Sequence, residues 1–430
     1  MSMSKEIKVE YLARVEGEGS LHIKLKDGKV EDLSLRIFEP PRFFEAFLVG
    51  RSYMEVPDIT ARICGICPVA YQMSSARALE KVVGLDVPDD VRKLRKLLYL
   101  GEYIESHVLH AYLLHAPDFL GYESALEMAK DHPDIVKAAL KLKQWGNRIM
   151  EIIGGRSVHP VSPRVGGFHK APGGDDLSPL LTNLDETKRT AFDAIDWAMG
   201  LKYPDLDRDT EYVSLWKKDE YPMLDGRIRS SKGIDVPEED FEKVCVESQV
   251  SYSTARRYMI RGKTPYVVGP QARVNLNHEK LAPEVQDKAR ELGISFPISN
   301  PYKSIIARTL ETAHSVIEAE KIIREYRPPA SPYVKREPRA GEGAAITEAP
   351  RGMLFHRYSI GPDGIVKKAS IVSPTSQNQT SIEADLLELA PKLASMQNDK
   401  ATWLCEQTVR NYDPCISCSA HFLKLDLTSE

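Results

Sequence analysis

The sequence predicts a mainly helical α+β protein, with a central bundle of helices and small antiparallel sheets at its margins. Three observations point there. Apolar residues recur at helical spacing through most of the middle of the chain, as in Leu94, Leu97, Leu98, Tyr103, Ile104, Val108 and Leu109. Strict alternation is confined to short stretches near residues 5–40 and 353–372. A chain of 430 residues with 42% hydrophobic content can bury a large core as one large domain or two intertwined layers.

Taken in order, Ile7, Val9 and Tyr11 alternate, as do Leu21, Ile23 and Leu25, and Asp27-Gly28 turns the chain into a third strand over residues 30–37. Between the first two strands lies Arg14-Val15-Glu16-Gly17-Glu18-Gly19, a glycine-bearing bend that can present a carboxylate; by spacing alone Glu16 reads as a solvated turn residue. Helices are expected over residues 43–49, 69–83, 94 to near Pro117, 135–153, 186–199, 281–292 and 302–326. His107, His110 and His115 read as polar positions of a packed helix. Residues 203–274 have no clear period and are expected to be irregular with short strands. A connector rich in Pro, Arg and Gly over 328–343 leads to a hairpin of residues 353–360 and 365–372, with polar, proline-containing tight turns expected at 347–352 and 373–376. Helices over 382–396 and 403–409 complete the pattern.

Composition excludes several classes of function. A formal charge of −4 offers no basic stripe for nucleic acid. No apolar run reaches the ~18 residues of a membrane span, and the first residues lack the apolar segment of a secretory signal, so a cytoplasmic protein is expected. Neither a P-loop nor a dinucleotide fingerprint is present. Six cysteines are too few for a disulfide scaffold in a chain of this length. Cys245 and Cys405 stand alone and read as small buried hydrophobes.

The other four form two C-x-x-C pairs, Cys64-Gly65-Ile66-Cys67 and Cys415-Ile416-Ser417-Cys418, separated by nearly the whole sequence. In such a turn both sulfurs can face one centre. Three chemistries compete. A structural zinc would close a four-thiolate site, although pairs so far apart would join the ends of a protein that already has its own core. A redox dithiol needs one reactive pair and leaves the second unexplained. A transition-metal centre uses both, since soft thiolates favour nickel, iron or copper and bridging sulfurs can hold two metals.

Arg62-Ile63-Cys64-Gly65-Ile66-Cys67 and Asp413-Pro414-Cys415-Ile416-Ser417-Cys418-Ser419-Ala420-His421 resemble the paired signatures of the large, catalytic subunit of nickel-iron hydrogenases. Further matches run along the chain: Arg14-Val15-Glu16-Gly17, Pro41-Arg42-Phe43-Phe44-Glu45, His115-Ala116-Pro117-Asp118, His159-Pro160, Glu348-Ala349-Pro350-Arg351-Gly352 and Pro374-Thr375. The wording is most like the cytosolic branch coupled to NAD(P), which includes the sulfhydrogenases. The resemblance implies a single catalytic subunit over residues 1–430 whose two ends meet at the metals. Cys64 and Cys415 would bind nickel terminally, and Cys67 and Cys418 would bridge it to an iron carrying carbon monoxide and two cyanides. Glu16 would pass protons outward. Arg351 would project toward the metals, supported by Asp118 and Asp413, and Pro350 and Thr375 would line the cyanide pockets. Glu45, the carbonyl of Ile371 and His421 would hold magnesium, or iron, near the C-terminus.

The implied reaction is reversible cleavage of dihydrogen. With no cysteines left for iron-sulfur clusters, electrons would leave through an iron-sulfur small subunit, then a flavin-containing NAD(P) diaphorase pair, with polysulfide as a further acceptor. Two departures stand out. Many relatives have histidine four positions after the second cysteine where this chain has Tyr71, a phenol that can still donate. Relatives are commonly cut after the histidine that matches His421, by a maturation protease acting after nickel-insertion proteins, whereas residues 422–430 follow here; uncut, the final turn is expected not to close. The alternatives are a metal-free subunit of the respiratory-complex type, which retention of four cysteines, Glu16 and Arg351 opposes, and a structural zinc protein.

Overall fold

Ile7, Val9, Leu21, Ile23 and Leu25 give one apolar face to an antiparallel sheet of Ser4–Val9, Gly19–Lys26 and Lys29–Ile37, in that order. In the computed structural model, which describes residues 4–40 and 43–420, this face packs on helices from the other end of the chain, Pro374–Ser395 and Asn398–Arg410. Ile23, Leu386 and Leu393 are wholly buried in the shared core. At about 1.5–3 kcal/mol for each large aliphatic side chain removed from water, a handful of such residues fastens the two ends of the chain together. Tyr11 falls outside the sheet and stands 69% exposed, its ring edge-on to Phe38.

The expected helical centre is present. The Pro68–Val83 helix starts on a proline, whose missing N–H costs nothing in a first turn, and ends on Gly84 in the left-handed region. The Asp89–Val108 helix packs against Pro133–Gly154 and Ser304–Glu325. Where the first two cross, a Cβ on Gly101 would lie 2.9 Å from the Gly146 carbonyl oxygen and one on Gly146 would lie 2.7 Å from that of Gly101, so glycine lets the backbones touch. The core around these helices contains Cys64, Cys67, Cys415 and Cys418.

Three local expectations are corrected. The helix expected to run to Pro117 gives way to a π-helical stretch, Leu109–His115, before the short Ala116–Leu120 helix. Pro117 cannot donate to the carbonyl four residues back, and the wider turn before it accommodates that break. Residues 347–349 are not a turn but the end of the strand Gly341–Ala349, which makes the hairpin a three-stranded antiparallel sheet with Gly352–Ile360 and Val366–Val372. Residues 374–376 open the Pro374–Ser395 helix, with the Ser373 hydroxyl accepting the Ser376 N–H. Its first turns are polar, which hides the helical period, yet Gln377, Asn378 and Gln379 are buried and donate to the carbonyls of Met353, Val268 and Arg256.

The weakly patterned segment holds short strands, as expected. Four of them, Glu211–Trp216, Arg227–Ser230, Asp235–Pro237 and Tyr266–Val267, form one sheet whose Tyr266–Val267 edge is parallel to its neighbour rather than antiparallel. Among the described residues no helix is long and apolar enough to cross a membrane. Cys245 and Cys405 are buried, and burial pushes both thiols up to about 12.

Candidate metal centre

The two ends of the chain are stitched by backbone as well as by packing. Glu16 and Cys415 form an isolated parallel bridge, with the Ile416 N–H donating to the Glu16 carbonyl at 2.8 Å. This is possible because Arg14 and Gly17 both take positive φ, which swings the bend back against the final turn. A Cβ on Gly17 would lie 2.8 Å from the Ser417 nitrogen.

The bridge brings the two cysteine pairs together. Cys64 Sγ lies 3.6 Å from Cys415 Sγ and 2.8 Å from Cys67 Sγ, and Cys415 Sγ lies 2.6 Å from Cys418 Sγ. These separations exceed the roughly 2.05 Å of a disulfide, and all four are free thiols, each no more than 4% exposed. Local structure sets each pair. Cys64 accepts the N–H groups of Ile66 and Cys67 at 3.4 and 3.2 Å, and Cys67 immediately precedes the Pro68–Val83 helix. Cys415 precedes the Ile416–Ser419 turn, and its own N–H donates to Thr375 Oγ1 at 2.9 Å.

Burial opposes charge on all four sulfurs. It raises the thiols of Cys415 and Cys418; Cys67 is raised chiefly by its sulfur neighbour Cys415. Cys64 is the exception: burial pushes it up too, but thiol donors from Cys415, Cys418 and Cys67 and the charge of Arg351 pull it well below the usual thiol range. Four buried soft donors with one adjacent cation match a thiophilic metal centre, since a metal supplies the positive charge that four thiolates require. Among the described residues, the grouping of three or more potential metal ligands is Cys64, Cys67 and Cys418, whose sulfurs lie within 4.8 Å of one another.

Glu16 reaches this cluster, with its Oε2 accepting from the Cys415 thiol at 3.0 Å and from the Ser417 N–H at 3.2 Å. Arg351, 2% exposed, donates from Nε to the Asp413 carbonyl at 2.8 Å and from Nη2 to Asp413 Oδ1 at 2.9 Å. Burial works against its charge, but Asp413 and the cysteine sulfurs outweigh that, so the guanidinium remains charged. Asp413 itself takes a positive φ of 50° immediately before Pro414-Cys415.

Asp118 is placed differently from expectation. Its carboxylate accepts from Arg410 Nε and Nη2, both at 2.8 Å, and from Arg14 Nη2 at 2.6 Å; its partners are the two ends of the chain rather than Arg351. Glu45 Oε1 accepts the Ile371 N–H at 2.7 Å, bringing those two residues together, and burial raises the Glu45 carboxyl to about 7. His421 and residues 422–430 lie outside the described residues, and with them the expectation for the tail. Tyr71 is buried with no hydrogen-bond partner for its hydroxyl among the described residues.

Several positioning groups carry no local sequence signal. Glu102, wholly buried, accepts the N–H groups of Val69 and Ala70 at 2.6 and 3.1 Å and so caps the helix that follows Cys67. Burial drives its carboxyl well above the usual range. Arg273 donates to the carbonyls of Ala349 and Pro350 at 2.8 Å each, holding the backbone that precedes Arg351, and pairs with Glu311 and Glu348. An exposed arginine and a buried one look alike in sequence.

Comparisons with known proteins agree with this geometry. The family model described as nickel-dependent hydrogenase matches residues 42–137 and 212–421. The alpha subunit of sulfhydrogenase 2 from Pyrococcus furiosus is 35% identical, across 97% of this chain and 100% of its own length. The alpha subunit of sulfhydrogenase 1 from the same organism is 33% identical, across 97% and 98%. The crystal structure of an NAD+-reducing [NiFe]-hydrogenase in the H2-reduced state superimposes with a TM-score of 0.87 at 26% identity, covering 98% of this chain and 100% of that one. With four convergent thiols where the two signatures meet, the chain belongs to the nickel-dependent hydrogenases, as a large catalytic subunit of the nickel-iron type that acts on dihydrogen.

Proposed function

We propose that the chain cleaves dihydrogen reversibly and heterolytically, and passes the electrons to an iron-sulfur small subunit, which hands them on toward NAD(P). The observation that carries this reading is the convergence of four buried sulfurs with a carboxylate oxygen 3.0 Å from one of them. Cys64 and Cys415 would hold nickel, and Cys67 and Cys418 would be shared with an iron bearing carbon monoxide and two cyanides. When bound, such a centre supplies an electrophilic site at which dihydrogen is polarised.

The chain's own groups account for the rest. A proton on Cys415 Sγ has Glu16 Oε2 within transfer distance at 3.0 Å, with the Ser417 N–H holding that oxygen in place. Arg351, fixed by Asp413 through two donors, brings a permanent positive charge beside the sulfurs. Pro350 and Thr375 would flank the diatomic ligands, and the bond from Cys415 N–H to Thr375 Oγ1 leaves that hydroxyl's proton free to donate. Glu45, the Ile371 carbonyl and His421 would bind magnesium. Apolar residues packed around the sulfurs, none of which is more than 4% exposed, shield the site from bulk solvent.

NAD(P) coupling is supported by the likeness to an NAD+-reducing enzyme and to the sulfhydrogenase alpha chains. Metal analysis and infrared spectroscopy of the protein purified with its partner subunits test the reading. About one nickel per large subunit, iron in excess of nickel because the partner's iron-sulfur clusters add to it, and bands of iron-bound carbon monoxide and cyanide are expected. One zinc per chain without those bands overturns it.

A further inference from the structure

Beyond Glu16, a second carboxylate is joined to the same turn. Ser417 donates its backbone N–H to Glu16 Oε2 at 3.2 Å and its hydroxyl to Glu39 Oε1 at 3.0 Å. Glu39 Oε1 also accepts the Glu18 N–H at 2.7 Å, so it sits against the bend that carries Glu16. The Glu39 backbone is anchored in turn, its carbonyl accepting from Thr254 Oγ1 at 2.8 Å. Close approach depends on Gly17, where a Cβ would fall 2.6 Å from Glu39 Oε1. Glu39 is half-buried whereas Cys415 is 2% exposed, so the series Cys415, Glu16, Ser417, Glu39 runs from the buried sulfurs toward solvent.

We propose that Glu39 is the next proton station after Glu16, reached through the Ser417 hydroxyl. This role rests on the hydrogenase reading of the four sulfurs. The Cys415 S–H bond breaks as Glu16 takes the proton at Oε2. Glu16, whose Oε2 rests on the Ser417 N–H, turns to the hydroxyl of the same residue and protonates its oxygen while the proton already on that oxygen passes to Glu39 Oε1, and Glu39 releases a proton to bulk water. Only protons move along this series, and none of its groups changes oxidation state. A carboxylate suits the role because it can take up and give back a proton, and the serine hydroxyl can donate and accept at once.

Glu39→Gln tests this in the holoenzyme with its partner subunits. The amide oxygen can still accept from Ser417 and Glu18, so the bend is kept while proton carriage is lost. Three quantities are compared with wild type: conversion of para- to ortho-hydrogen, which needs cleavage and recombination only; exchange of D2 with H2O, which needs the exit; and the carboxyl C=O bands of H2-induced infrared difference spectra. The expected result is conversion within twofold of wild type, D2 exchange reduced at least tenfold, and loss of one carboxyl band, with nickel and iron content unchanged. Glu39→Asp restores part of the exchange. Unchanged exchange and bands overturn the relay. Loss of conversion together with exchange in metal-replete protein also overturns it, because Glu39 would then be supporting the site rather than carrying protons. Absence of conversion and nickel from the wild type itself would instead defeat the hydrogenase reading.

Discussion

Replacing Asp118 by Ala removes the carboxylate that ties the N-terminal bend to the C-terminal helix. Asp118 is wholly buried, Arg410 is 1% and Arg14 11% exposed at the side chain, and three donors converge on its two oxygens. Without it Arg410 is a buried cation with no carboxylate in bidentate reach. Breaking a buried pair in this way costs about 3–5 kcal/mol, because the remaining charge is desolvated and uncompensated. Arg410 also donates to the Ala13 carbonyl at 2.9 Å, so the loss is felt at the bend that carries Glu16. Urea denaturation measures the stability change, and amide hydrogen exchange locates it. The expected result is a loss of about 3–5 kcal/mol with faster exchange over residues 13–19 and 404–420. Arg410→Met in the Asp118→Ala background recovers part of the loss, since the fully buried orphan charge is gone and only the more exposed Arg14 is left without its carboxylate. Wild-type stability in Asp118→Ala, or no recovery in the double variant, refutes the pairing as the fastening between the ends.

Gly17→Ala puts a Cβ where φ is +88° and Glu39 Oε1 would be 2.6 Å away, so a penalty of about 1–2 kcal/mol and slower D2 exchange are expected; normal exchange refutes the tight approach. Glu102→Ala strands the buried N–H groups of Val69 and Ala70, at about 1–3 kcal/mol each, and should lower nickel retention by Cys64 and Cys67; unchanged metal content and urea midpoint count against a positioning role. Burial raises the Glu348 carboxyl from 4.5 to about 7, while Arg273 and the Leu215 N–H only partly offset it. The folded group holds its proton more tightly than the unfolded one, so its contribution is complete below about pH 4.5 and lost as pH rises through about 7. Between pH 5 and 8 wild type should lose up to about 3 kcal/mol relative to Glu348→Gln by urea midpoint, and a gain would refute the assignment.

Much of this site was legible in one dimension because its chemistry is packed into short signatures. A C-x-x-C spacing places two sulfurs on one turn regardless of what lies elsewhere, and glycines beside Glu16 announce a bend that needs positive φ. Alternation likewise marked strands within 5–40 and 353–372, and helical spacing marked the central helices. Where polar residues were themselves buried, as in Gln377 to Gln379, the pattern failed, since burial there is secured by hydrogen bonds to distant carbonyls.

What the sequence by itself determined is the inventory: two thiol pairs, a carboxylate in a glycine bend, an arginine beside a proline, and apolar faces that require partners. Only the tertiary structure decided which charges pair. Asp118 joins Arg14 and Arg410 instead of Arg351, Arg273 holds the backbone before Arg351, and Glu39 meets Ser417 across most of the chain. The reason is physical. Torsional preference and side-chain period act over a few residues, whereas a buried charge is tolerated only where folding brings an opposite charge or a donor from elsewhere.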